Sequence, residues 1–168
     1  MCYQLVVVSA LTLSELRSML PAGVRADALP PTALAGFRAS FRPAQTAAHL
    51  RVGRCACRLL PARFPTGQHD ESHLRTRYRQ LGAARDHVIA SLDRHRAGTW
   101  DGGIVLPDAL ATFVAEHARN GGPALFVLAF GVREEIPEAP SSVVERTLAE
   151  TRGGDAWLAE GASVRVTR

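Results

Sequence analysis

Lysine does not occur anywhere in the 168 residues, so all 20 basic side chains other than histidine are arginine. Schiff-base chemistry, a phosphate-binding Walker lysine and a Ser-Lys couple all require that amine, and the sequence excludes them. Cysteine is scarce, with only Cys2, Cys55 and Cys57. Three unevenly spaced thiols make no disulfide scaffold, and a chain of this length buries enough surface to fold without one, so reduced thiols are expected. Long apolar runs are missing too: no stretch approaches the roughly 18 residues of a membrane span. The run from Leu5 to Val8 has no Lys or Arg before it and gives way to polar, helical sequence from Thr12 to Arg17. That pattern fits a strand rather than a signal peptide. A Gly-x-Ser-x-Gly elbow, a glycine-rich phosphate loop and a dinucleotide fingerprint are all lacking. These absences point to a soluble cytoplasmic protein, outside the membrane, with no recognisable catalytic motif.

What is present describes an ordinary globular chain: 46% hydrophobic and 21% charged residues are values at which a compact core forms and long disorder does not. With no internal repeat, low-complexity tract or long linker, residues 1–168 are expected to form a single domain. Charge is unevenly placed. Residues 38–96 carry 12 arginines against four acids, a net +8, whereas residues 97–168 carry a net −4. Such a basic middle fits either a weak polyanion-binding surface for nucleic acid or internal pairing with the acidic tail. A stacking platform would need aromatics among these arginines, and only Phe64 and Tyr78 interleave with them. The use of arginine throughout, with abundant Ala, Gly and Pro, fits the coding bias of a high-GC bacterial genome.

Hydrophobic periodicity supplies the elements. Tyr3 to Ser9, with three consecutive valines, reads as a buried strand. Thr12 and Glu15 form a capping box that opens a short helix closed by Pro21. Strands are predicted over Phe37–Phe41 and His49–Leu59, and a long helix over residues 72–97, weakened at Gly82. A brief strand at Ile104–Leu106, a helix over Pro107–Arg119 and a strong strand over Ala124–Phe130 follow. Val143–Ala149 and Ser163–Thr167 are expected to be the arms of a hairpin. The predicted class is α+β, a two-layer, mixed β-sheet with two or three helices packed on one face, loosely ferredoxin-like.

The sharpest chemical feature is Cys55-Ala56-Cys57 followed, after a gap of 11 residues, by His69-x-x-x-His73. On a strand the two thiols share a face, and on a helix the two imidazoles do. Two Cys and two His suit tetrahedral zinc. The order resembles a two-Cys, two-His zinc finger, although that family separates its cysteines by two to four residues. Cys2 offers a rival set: a first strand beside the Cys55–Cys57 segment would gather three thiols, with His49 or the chain's own amine as fourth ligand. Buried cysteines packed as small hydrophobes are the plain alternative. Asp86-His87, His95 and His117 read for the most part as solvated surface.

The Met-Cys start, shared with the class II glutamine amidotransferases, is similar to enzymes with a nucleophilic N-terminal cysteine, but those continue with glycine where this chain has Tyr3-Gln4. Taken with the later Cys-x-Cys, it also resembles uncharacterised bacterial proteins with the same thiol pattern, a resemblance that carries no activity with it. Three functional expectations follow. The first is a small domain whose cluster of Cys2, Cys55, Cys57, His69 and His73 is structural or binds a metal such as zinc. The others are an arginine-rich polyanion-binding module and a cysteine-dependent enzyme.

Overall fold

The computed structural model describes residues 2–53, 56, 59–60, 75–76, 79–80, 82–96, 108–131, 142–152, 157–158, 161 and 163–168. The first strand, β1 (Cys2–Ser9), lies at the heart of the sheet, between β3 (Thr46–Val52) and β4 (Ala124–Gly131), and is antiparallel to both. Its apolar run is continuous because both of its faces are buried: Leu5, Val6, Val7 and Val8 are all fully enclosed. Beyond β3 comes β2 (Val24–Ala28), and beyond β4 come β6 (Ser163–Thr167) and β5 (Val143–Thr147), giving the order β2-β3-β1-β4-β6-β5.

The four strands β2-β3-β1-β4 alternate in direction, so β1 runs parallel to β2 and β3 runs parallel to β4. Each parallel pair encloses a strand of the other pair, and each is linked through a helix: α1 (Leu13–Ser18) in the first, and α3 (Arg85–Arg96) and α4 (Ala109–Asn120) in the second. Two interlocked βαβ units of this kind are the ferredoxin-like arrangement, as expected for this α+β chain.

One sheet face joins Leu5, Val7, Leu50, Phe126, Leu128 and Val164 to Leu16 of α1 and to Leu110, Phe113 and Val114 of α4. The α1 capping box forms as read: Glu15 N–H donates to Thr12 Oγ1 (3.3 Å) and Thr12 N–H to Glu15 Oε2 (2.8 Å). On the opposite face Val6, Val8, Leu125 and Val127 meet Phe37 of a further helix, α2 (Pro31–Ser40), which adds partial cover there.

That helix corrects the strand predicted over Phe37–Phe41. Two aromatics four residues apart fit either a strand face or one helical turn, and Pro31 at the first helical position favours the helix. The strand predicted over His49–Leu59 begins earlier, at Thr46, and stops at Val52, where Gly53 turns the chain with φ +65°. The long helix predicted over 72–97 is interrupted, because Gly82 adopts φ +66° and α3 starts only at Arg85. Nor do β5 and β6 form a hairpin: they pair in parallel, and the chain leaves β5 through a short 3-10 helix, Leu148–Thr151, instead of a tight turn. The strand expected at Ile104–Leu106 lies outside the described residues. Among the described residues no helix is long and apolar enough to cross a membrane.

Candidate functional site

At the start of β1 the backbone of Cys2 registers with Gly131 of β4. On the other flank the pairing with β3 stops at Leu5 and Leu50, yet the chain returns to β1, where Ala56 N–H donates to Tyr3 O (3.2 Å). Ala56 is buried, and Leu59 and Leu60 just after it enter the same core against which Tyr3 packs. Ala56 separates Cys55 from Cys57 in sequence, and Tyr3 follows Cys2, so one hydrogen bond joins the neighbours of all three cysteines. Cys55, Cys57, His69 and His73 themselves lie outside the described residues. Among the described residues no group of three or more His, Cys, Asp or Glu is arranged to hold a metal ion.

His49 does not belong to this end of the strand. It registers with Val6, four residues along β1 from Cys2, which at about 3.3 Å per residue is roughly 13 Å away. Side chains on strands stand roughly perpendicular to the sheet, so they do not close a gap of that size along it to the few ångströms that separate two ligands of one zinc ion, and His49 is not the fourth ligand. The imidazole is buried between β1 and β2, and its pKa is pushed down to about 4. Burial is the main cause and the Arg51 charge adds to it, while Asp27, directly opposite on β2, acts the other way.

A second polar constellation sits at the far end of β1. Ser9 Oγ and His117 Nε2 are 2.8 Å apart, and His117 Nδ1 is 3.1 Å from Gly122 O. A carbonyl only accepts, so Nδ1 carries the proton and Nε2 accepts the Ser9 hydroxyl; that hydroxyl oxygen in turn accepts Leu11 N–H at 3.0 Å. Burial lowers the His117 pKa and the Gly122 hydrogen bond partly opposes it, which keeps the ring neutral. The solvated reading of His117 is therefore corrected, since the residue is 1% exposed. The signal was available: Leu110, Phe113, Val114, His117 and Ala118 fall on one buried helical stripe.

Hydroxyl, base and orienting acceptor have the relation used in nucleophilic catalysis. No substrate reaches them, however, because Ser9 is 0% exposed and Gly121 packs so tightly that an added Cβ would meet Leu11 Cδ1 at 2.7 Å and His117 Cε1 at 2.9 Å. The group ties the end of β1 to the end of α4. Ser9→Ala is accordingly expected to strand the Leu11 amide and His117 Nε2 and to cost about 1–3 kcal/mol in urea unfolding, with metal content unchanged.

Several described arginines are committed within the fold. In the basic segment Arg38 donates to Ala44 O (3.1 Å) and Arg51 pairs with Asp27 (3.5 Å). In the tail Arg165 holds both Glu145 and Ser40 O, and Arg168 donates to Ala118 O. Arg165 also borders an open cleft of about 390 Å³ with Phe41, Pro43 and Pro123; its two terminal nitrogens are taken by those two acceptors, while its buried Nε has no partner among the described residues. No family model, curated protein or solved structure matches the chain.

Proposed function

We propose that this α+β domain binds a divalent metal of the zinc class through Cys2, Cys55 and Cys57, with His69 or His73 as the fourth ligand. One observation carries the reading: the Ala56 amide bonds to the Tyr3 carbonyl, which draws two sequence-distant thiol-bearing segments to the same end of the central strand. Thiolates select zinc over magnesium or calcium, and three of them with one imidazole complete a tetrahedral shell. A shell closed by four protein ligands leaves no position for substrate, so the metal supports the fold rather than a reaction. It would clamp the segment after β3 to the first residues of β1, and binding would couple to folding because the thiols must lose protons and converge.

The test is metal content by mass spectrometry on untagged protein, together with a count of reactive thiols. One zinc per chain is expected, with Cys55→Ser and Cys57→Ser each lowering occupancy at least about tenfold. His69→Ala and His73→Ala identify the fourth ligand by which of them releases metal. Metal-free protein with three unreactive thiols would instead mean that the cysteines pack as small apolar side chains.

A further inference from the structure

The sheet ends at β2, and the backbone there is unevenly used. Leu29 N–H donates to Ala47 O at 2.8 Å, so these two continue the β2–β3 register as a hydrogen-bonded pair. Such pairs alternate along an antiparallel ladder. Arg25 and Asp27 therefore turn their amides and carbonyls toward β3, whereas Val24, Ala26 and Ala28 turn theirs away from the sheet. Val24 N–H is taken locally by Pro21 O (3.1 Å). The Ala26 carbonyl is taken by Arg17 of α1, whose Nε and Nη2 both donate to it, at 3.1 and 3.0 Å. Among the described residues nothing accepts from Ala26 N–H or Ala28 N–H.

The side chains of this edge are self-complementary. Arg25 and Asp27 are exposed and share one face, while Val24, Ala26 and Ala28 fall on the other. Placing a second β2 antiparallel about a twofold axis at Ala26 sets Arg25 opposite Asp27 in both directions, Val24 opposite Ala28, and Ala26 opposite itself. No like charges are opposed, and both faces stay in register. Arg25 and Asp27 would then occupy non-hydrogen-bonded sites of the new ladder, where facing side chains approach most closely. Natural edge strands are blunted by shortness, charge, proline, lysine or a bulge; β2 is five residues long and carries Arg25 and Asp27, but those charges complement one another about Ala26, and the strand holds no proline or lysine and pairs with β3 without interruption. At its centre Ala26 is only 2% exposed, with Arg17 bonded to its carbonyl, so the edge takes a second strand only once Arg17 moves off it.

We propose that β2 is a self-association edge for a second copy of this chain, and that Arg17 is the clasp that holds it closed. Releasing the guanidinium from Ala26 O allows four backbone hydrogen bonds across the twofold: Ala26 N–H to the mate's Ala26 O, and Ala28 N–H to the mate's Val24 O, each made twice. Two Arg25–Asp27 ion pairs flank them. Asp27 keeps Arg51 at 3.5 Å on its own sheet and has acceptor capacity for a second cation. The clasp ends on an exposed side chain, so its grip is modest and reversible.

Sedimentation of the full-length chain over a range of concentrations tests the proposal, with circular dichroism confirming that each variant is folded. Arg17→Ala is expected to tighten self-association at least about tenfold over wild type. Arg17→Met, which keeps the apolar stem but lacks the guanidinium, should do the same if the smaller substitution disturbs α1. Adding Asp27→Arg to Arg17→Ala opposes like charges at both flanking positions and should restore wild-type association. Adding Arg25→Asp as well rebuilds the palindrome with its signs exchanged, and association should return. Folded Arg17 variants that associate no more tightly than wild type would overturn the proposal, as would association indifferent to Asp27→Arg.

Discussion

Replacing Phe126 by alanine is expected to lower the unfolding free energy by about 3–5 kcal/mol, a large share of the stability of an ordinary domain. Phe126 sits on β4 with 1% of its surface exposed. Its ring meets Phe113 of α4 edge-on at 6.3 Å and Trp157 of the tail segment edge-on at 5.4 Å. The substitution thus removes a large buried side chain and two T-shaped aromatic contacts, in a place where a helix, the sheet and the β5–β6 crossover all converge. Relaxation into the void is restricted because Leu5, Leu128 and Val164 are each already fixed by strand pairing. Urea unfolding followed by tryptophan fluorescence reads the effect directly, since Trp157 reports on the same cluster. Phe126→Leu should retain most of the stability, as it keeps much of the volume. A loss below about 1 kcal/mol for the alanine variant would contradict the described packing.

How much of this arrangement was legible in sequence follows from how far each signal depended on tertiary context. β1, α1, α4 and β4 were readable because pattern and propensity agreed: consecutive valines, a Thr12–Glu15 capping box, a Leu110-Phe113-Val114 stripe, and an unbroken apolar run. β2 was missed because Val24-Arg25-Ala26-Asp27-Ala28 carries little strand propensity, and it is held by pairing with β3 and by the Arg17 contact instead. α2 was missed because Phe37 and Phe41 satisfy either period. The direction of β5 was unreadable in principle, since no local feature of Val143–Thr147 distinguishes a hairpin arm from a strand returning by crossover. Thr147 and Glu150 do form a capping box that opens the short 3-10 helix Leu148–Thr151, and that pattern was a cue that the chain turns away there.

For the candidate site, sequence offered a first strand beside the Cys-x-Cys segment, and the Ala56–Tyr3 hydrogen bond joins the neighbours of those cysteines, while Cys55 and Cys57 themselves lie outside the described residues. It could not exclude His49, whose distance from Cys2 depends on the β1–β3 register, and register is a tertiary property. The two ends of β1 thereby acquire different characters. One end gathers cysteine-bearing segments around Tyr3, while the other is sealed by Ser9 and His117.

Acidification from pH 7.5 to 5 is expected to destabilise the protein well before its carboxylates titrate. His49 has a folded pKa of about 4, against about 6.5 when unfolded, so between those values the unfolded chain binds the proton and the folded chain does not. Stability from this group is complete above pH 6.5, falls as pH drops through the window, and is exhausted near pH 4. A shift of that size corresponds to about 3 kcal/mol across the window. His117 adds in the same direction, because burial also lowers its pKa and protonation would place a second N–H against the hydroxyl that now donates to it. The capping carboxylates Glu15 and Glu150 have lowered pKa values, so their contribution is lost only below the usual carboxylate range and leaves the histidine window clear. Urea unfolding at half-unit pH steps, with any metal chelated so that its release on ligand protonation adds no slope, should show stability rising with pH between 5 and 6.5 and flattening above. His49→Gln should remove most of that slope, because the desolvated imidazole between Arg51 and Asp27 is its main source; a slope unchanged in His49→Gln would assign the acid sensitivity to other groups.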